Sequence, residues 1–121
     1  MTDRDILDLI EEIMDELPDD VSETLEQVTI TIQDYPSAAQ LARLRSSGRN
    51  SILGLYEGVP YPNQTFFTPT VYPPAIVLFK KNIERYARSR PRMKEQVQRT
   101  LLHEIGHHLG LDEEDLRQRG L

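Results

Sequence analysis

Ile6, Ile10, Ile13, Met14 and Leu17 recur at three- and four-residue spacing among acidic positions, the stripe of an amphipathic helix over residues 3–17. Thr2 and Asp5 have the spacing of a capping box, and Pro18 ends the helix. Over residues 27–32 the period drops to two. Val28, Ile30 and Ile32 alternate with Thr and Gln, which predicts a half-buried strand. Ser37 and Gln40 can cap a short helix carrying Leu41 and Leu44, and residues 46–51 read as a loop. Residues 52–57 predict a second strand, in which Gly54 marks a bulge or a close backbone approach. The unbroken run Ala75 to Phe79 predicts a third, buried strand. A short helix follows over about residues 81–89, with Ile83, Tyr86 and Ala87 inward. Ser89, two residues before Pro91, caps a long helix that runs to about Leu109, where Gly110 stops it. Asp112 can cap a last helical turn or two, ending at Gly120.

Between the second and third strands lie Pro60, Pro62, Pro69, Pro73 and Pro74, with Gly58 and Asn63 among them. Neither a helix nor a central strand survives that density of proline. The segment also carries Tyr61, Phe66, Phe67 and Tyr72, which is too aromatic for a plain linker. These rings either pack the loop down or line a cleft.

Composition narrows the class. A chain of 121 residues fits one compact domain, 1–121, and 38% hydrophobic residues can build a small core. The absence of cysteine excludes a disulfide scaffold, a thiolate metal site and cysteine-based catalysis. Ala75 to Phe79 is the longest apolar run, and Met1-Thr2-Asp3-Arg4-Asp5 lacks a basic start and an apolar signal core. A soluble, cytoplasmic protein is expected. A net charge of -6 argues against nucleic acid and gives no reason to expect a membrane partner. Charge is also segregated. Twelve acids face a single Arg4 in residues 1–34, whereas eight Lys or Arg face Glu84 and Glu95 in residues 80–99. The basic stretch reads as a solvated helix face able to dock the acidic N-terminal half.

All three histidines fall within six residues, in Leu101-Leu102-His103-Glu104-Ile105-Gly106-His107-His108-Leu109-Gly110. His-Glu-x-x-His on a helix has a mechanism for each residue type. Four residues advance a helix by about 400°, so His103 and His107 sit about 40° apart on one face and both imidazoles can reach one ion. Glu104 is offset by about 100°, beside the metal and placed to take a proton from its water. Zinc would lower the pKa of that water to about 7 and polarise the scissile carbonyl. Val97, Leu101, Ile105, Leu102 and Leu109 form a core-facing stripe opposite the histidines. Gln96, Arg99, Thr100 and Gly110 share the histidine face. His108 lies at the edge of the apolar stripe and reads as a hydrogen-bonded core or supporting histidine, not a ligand.

A catalytic zinc needs a third protein ligand and an open position for water. The candidates are Asp112, Glu113, Glu114 and Asp115, just past the chain reversal at Gly110. Spacing favours Glu113, with Asp112 free to serve as a helix cap. Tyr56, Tyr61, Tyr72 and Arg99 are candidates to stabilise an oxyanion, and nothing in the sequence selects one. Zinc suits two imidazoles and a carboxylate, although other first-row ions fit the same set.

The chain resembles the minimal zincins, small bacterial metallopeptidases whose motif has the form His-Glu-x-x-His-x-x-Gly-x-x-Asp near the C-terminus. The resemblance includes Gly54-Leu55-Tyr56-Glu57-Gly58-Val59-Pro60 and the block from Ile76 onward. It implies that His103 and His107 are ligands, that Glu104 is the general base, and that the third ligand stands ten residues after His103. Here that residue is Glu113, where the family pattern favours Asp, so Asp112 and Glu114 stay open. The resemblance also implies an α+β fold, a short mixed sheet packed on the active-site helix. Larger zincins with a Met-turn, or with a distant downstream Glu ligand, do not fit the eight residues after Glu113.

Together these features predict a zinc-dependent peptidase acting on an extended peptide or protein along a sheet edge. The alternative is a non-catalytic metal-binding or interaction module that keeps the same site. A metal-free helical domain with a chance motif is the third reading.

Overall fold

The computed structural model describes residues 1–44, 48–58 and 74–118, apart from the side chains of Glu113 and Leu116. The predicted loop at Ser46 and Ser47 and the aromatic, proline-rich segment 59–73 lie outside the described residues, as does the expected helix end at Gly120. The elements run α1 (Asp3–Glu16), α2 (Asp19–Glu26), β1 (Thr29–Gln33), α3 (Ala38–Arg43), β2 (Gly54–Glu57), β3 (Ala75–Phe79), α4 (Lys80–Tyr86), α5 (Arg90–His108) and α6 (Glu113–Gln118). This is an α+β fold built on a mixed sheet of order β1-β3-β2. β1 runs parallel to β3 and β2 antiparallel to it, with Ile30 opposite Ile76 and Leu55 opposite Val77.

The central position of β3 explains its continuous apolar run. Ile76 and Leu78 enter the main core with Ile6, Ile10 and Ile13 of α1 and Val97, Leu101 and Ile105 of α5. Val77 and Phe79 point to the opposite face and pack with Leu55 and Ile52. A strand covered on both faces has no polar alternation to show.

Local signals set the helix ends. Thr2 and Asp5 close the predicted capping box, with Asp5 N donating to Thr2 Oγ1 at 3.2 Å and Thr2 N to Asp5 Oδ2 at 2.7 Å. Ser37 and Gln40 do the same for α3. Ser89 Oγ accepts from Arg92 N at 3.4 Å at the start of α5. Three expectations need correction. Residues 19–26, unassigned from the sequence, form α2, which seats Leu25 in the core. Tyr86 is 58% exposed, because α4 turns Asn82 and Ile83 inward, with Ala87 just past its end, and leaves Tyr86 on the solvent flank. Leu109 is 40% exposed, since it caps α5 beyond the reach of the core.

The segregated charges meet across α1, α4 and α5. Arg90 donates to both carboxylate oxygens of Glu12, at 2.7 and 3.2 Å. Lys94 pairs with Glu16 at 2.6 Å and Lys80 with Asp3 at 2.9 Å. The basic stretch therefore docks the acidic N-terminal helix, as its composition predicts.

Candidate active site

α5 is the element against which the rest is assembled. It contacts α1, α4, β2 and β3. Its residues divide by phase. Val97, Leu101 and Ile105 enter the core, while Thr100, Glu104 and His108 form a second buried stripe at four-residue spacing. β2 lies along that second stripe. The close approach expected at Gly54 is real: a Cβ there would overlap Thr100 Cγ2 and come within 3.7 Å of Glu104 Cγ. Two residues on, Tyr56 Oη meets His108 Nδ1 at 2.8 Å. Only glycine at position 54 lets the strand settle this deeply on the helix.

His108 is 6% exposed and is held by Tyr56, the supporting position anticipated for it. Burial lowers its pKa and raises that of the Tyr56 phenol, so both are neutral near neutrality. The contact is thus a hydrogen bond between two uncharged groups. This contact occupies one of the tyrosines considered for oxyanion stabilisation. Arg99 is exposed and pairs with Glu95 at 3.2 Å, while Tyr61 and Tyr72 lie outside the described residues.

His103 and His107 present themselves together, with ring centres 4.9 Å apart at 70° to each other. Two nitrogens bound to one tetrahedral ion at about 2.0–2.1 Å place their ring centres about 5 Å apart, so the pair suits a shared ion. Glu104 is 8% exposed and its Oε2 lies 3.1 Å from His107 Nδ1. A carboxylate can only accept, so Nδ1 is the donor of this contact and Nε2 is the ring nitrogen that a metal would take. Glu104 and His107 also form one wall of a cleft of about 420 Å³, completed by Leu44, Ile52, Gly54, Leu55 and Tyr56. The aliphatic lining from Leu44 and Ile52 is a feature that helix periodicity gave no means of finding.

Past the histidines the chain reverses in a Schellman turn. Gly110 adopts φ 76, Gly110 N donates to His107 O, and Leu111 N donates to Gly106 O, each at 2.9 Å. Asp112 then caps α6, as expected. Its Oδ1 accepts from Asp115 N at 2.8 Å while Asp115 Oδ2 accepts from Asp112 N at 3.1 Å. The bond from Asp115 N holds the Asp112 carboxyl below its usual value. Glu114 is bonded to Arg117 and Gln118. The side chain of Glu113, the expected third ligand, lies outside the described residues. Among the described residues no group of three His, Asp or Glu is assembled for a metal.

No curated protein matches the chain closely enough to count as a relative. Among the described residues no helix is long and apolar enough to cross a membrane. A family model described as zincin-like metallopeptidase matches residues 25–121, which takes in every element from β1 to α6 and leaves α1 outside. With His-Glu-x-x-His on α5 against a short mixed sheet, the chain belongs to the zincin-like metallopeptidases.

Proposed function

We propose that the protein is a zinc-dependent peptidase whose general base is Glu104. The observation that carries this reading is the juxtaposition of the Glu104 carboxylate with two imidazoles of adjacent helical turns, beside an open cleft. His103 and His107, with Glu113, would hold the ion. When bound, zinc supplies acidity to water and polarises the substrate carbonyl. Glu104 takes the proton of the attacking water on its carboxylate and hands it to the leaving amide nitrogen. Gly54 lies against the Glu104 side chain, and His107 Nδ1 holds its Oε2, so the base is oriented before substrate arrives. The peptide lies extended beside β2, an edge strand among the described residues. The absence of cysteine suits a cytoplasmic setting.

The test pairs zinc content with peptide turnover in the parent protein and in Glu104→Gln. The variant should keep its zinc and its fold and lose at least about a hundredfold in turnover. Loss of zinc with activity would make Glu104 structural. Turnover equal to the parent's would assign the chemistry to another base or to a contaminant. A parent protein inert toward a broad peptide library would favour the metal-binding module.

A further inference from the structure

We infer that the cleft beside Glu104 selects a peptide with a large uncharged aliphatic or aromatic side chain next to the scissile bond. This deepens the peptidase reading and rests on it. The cleft is bordered by Gly54 and Tyr56, which face α5, and by Leu55, which faces the opposite side of the sheet. A cavity that touches both faces of one strand runs along that strand's edge. A peptide laid there alternates its side chains between the two faces. On one face it meets Glu104 and His107. On the other it meets Leu44, Ile52 and Leu55, which carry no charge.

The apolar wall is continuous with the buried cluster of Leu55, Val77 and Phe79, against which Ile52 packs. Leu44 is 38% exposed at its rim, the end of α3. A leucine or phenylalanine side chain entering here removes apolar surface from water on both partners. An acidic side chain would instead be desolvated against aliphatic groups, close to the Glu104 carboxylate and in a protein of net charge -6. The wall therefore both attracts apolar side chains and rejects acidic ones.

Binding can be read without hydrolysis. The metal-free protein is titrated with N-acetyl-leucine amide, N-acetyl-phenylalanine amide and N-acetyl-glutamate amide, followed by backbone amide shifts. Leucine and phenylalanine amides should move Ile52, Gly54, Leu55 and Tyr56, and bind at least about tenfold tighter than the glutamate amide. Leu44→Lys, an exposed change that leaves the core intact, should weaken the two apolar probes and favour the glutamate amide. Equal binding of all three probes overturns the inference, and so do shifts confined to other surfaces. Should the protein hydrolyse peptides with no apolar preference, the pocket fails and the peptidase reading stands. Apolar binding with no hydrolysis of any peptide supports the pocket and sinks the peptidase reading.

Discussion

Tyr56 Oη lies 2.8 Å from His108 Nδ1, and this bond fastens the edge strand β2 to the last turn of α5. His107, one residue earlier, rides on that turn. The contact is thus a brace for the metal-binding turn and makes no claim on the metal. Tyr56→Phe should cost about 0.5–1.5 kcal/mol of stability, and His108→Ala somewhat more, because it also empties a buried volume. Both variants should still bind zinc. Urea denaturation and zinc content on the same samples check this, and zinc loss in His108→Ala would promote His108 from brace to ligand.

The second brace is steric. Gly54→Ala sets a methyl against Thr100 Cγ2 and 3.2 Å from the Val77 carbonyl oxygen, so β2 must lift from α5 where Glu104 is packed. Overpacking of this kind costs about 1–3 kcal/mol. Thr100→Ser removes the opposing methyl yet keeps the hydroxyl that donates to Gln96 O at 2.8 Å. The double variant should recover much of the stability lost by Gly54→Ala alone. A double-mutant cycle with no coupling would mean that the strand and helix have no such tight contact.

Much of the active-site helix is legible in the sequence because helical phase depends only on spacing. Ser89, Pro91 and Gly110 bracket it, and the positions of Val97, Leu101, Ile105, His103 and His107 follow from 3.6 residues per turn. β3 is equally plain, since five consecutive apolar residues suit only a covered strand. α2 escapes because just two of its residues, Val21 and Leu25, are apolar and turned toward the core, too few for a period. Tyr86 and Leu109 mislead for the opposite reason. Leu109 has the right phase and falls where α5 has already left the core, whereas Tyr86 lies on the solvent flank of α4 between the buried Ile83 and Ala87. The cleft wall is not a matter of period at all. Leu44 and Ile52 become neighbours only after α3 and β2 pack around the sheet edge, and Gln40, buried in α3, bonds both Gln33 and Glu57 to fix that arrangement.

Acid should loosen the attachment of α1. The hydrogen bond from Arg90, with the nearby charge of Lys94, holds the Glu12 carboxyl below its ordinary value of 4.5. A carboxyl lowered in the folded state lends stability above its unfolded pKa and loses it as pH falls through the folded one. Stability contributed by Glu12 is therefore present at neutrality and is lost as pH falls below 4.5 and through the lowered folded value. The difference between parent and Glu12→Gln, read as urea midpoints, should shrink on going from neutral pH to about pH 3. Molar salt at neutral pH should shrink it too, because these pairs are exposed and screened. A difference that stays constant under both treatments would mean that the pair contributes nothing.

The ligand set is the sharpest test of the site. His103→Ala should abolish tight zinc binding. Of the acids past Gly110, Asp112 and Asp115 are engaged in capping α6 and Glu114 is bonded to Arg117. Glu113→Gln should therefore weaken zinc far more than Asp112→Asn or Glu114→Gln. Zinc should raise the melting temperature of the parent in proportion to its binding and do little for Glu113→Gln. Gly110→Ala provides a control that removes no ligand. At φ 76 an alanine is strained by about 1 kcal/mol, and relief of that strain would swing α6 away from His107. Weaker zinc binding in Gly110→Ala would show that the turn delivers the third ligand. If Asp112→Asn proves costlier than Glu113→Gln, the ligand stands one residue earlier and the extra methylene of glutamate is not used.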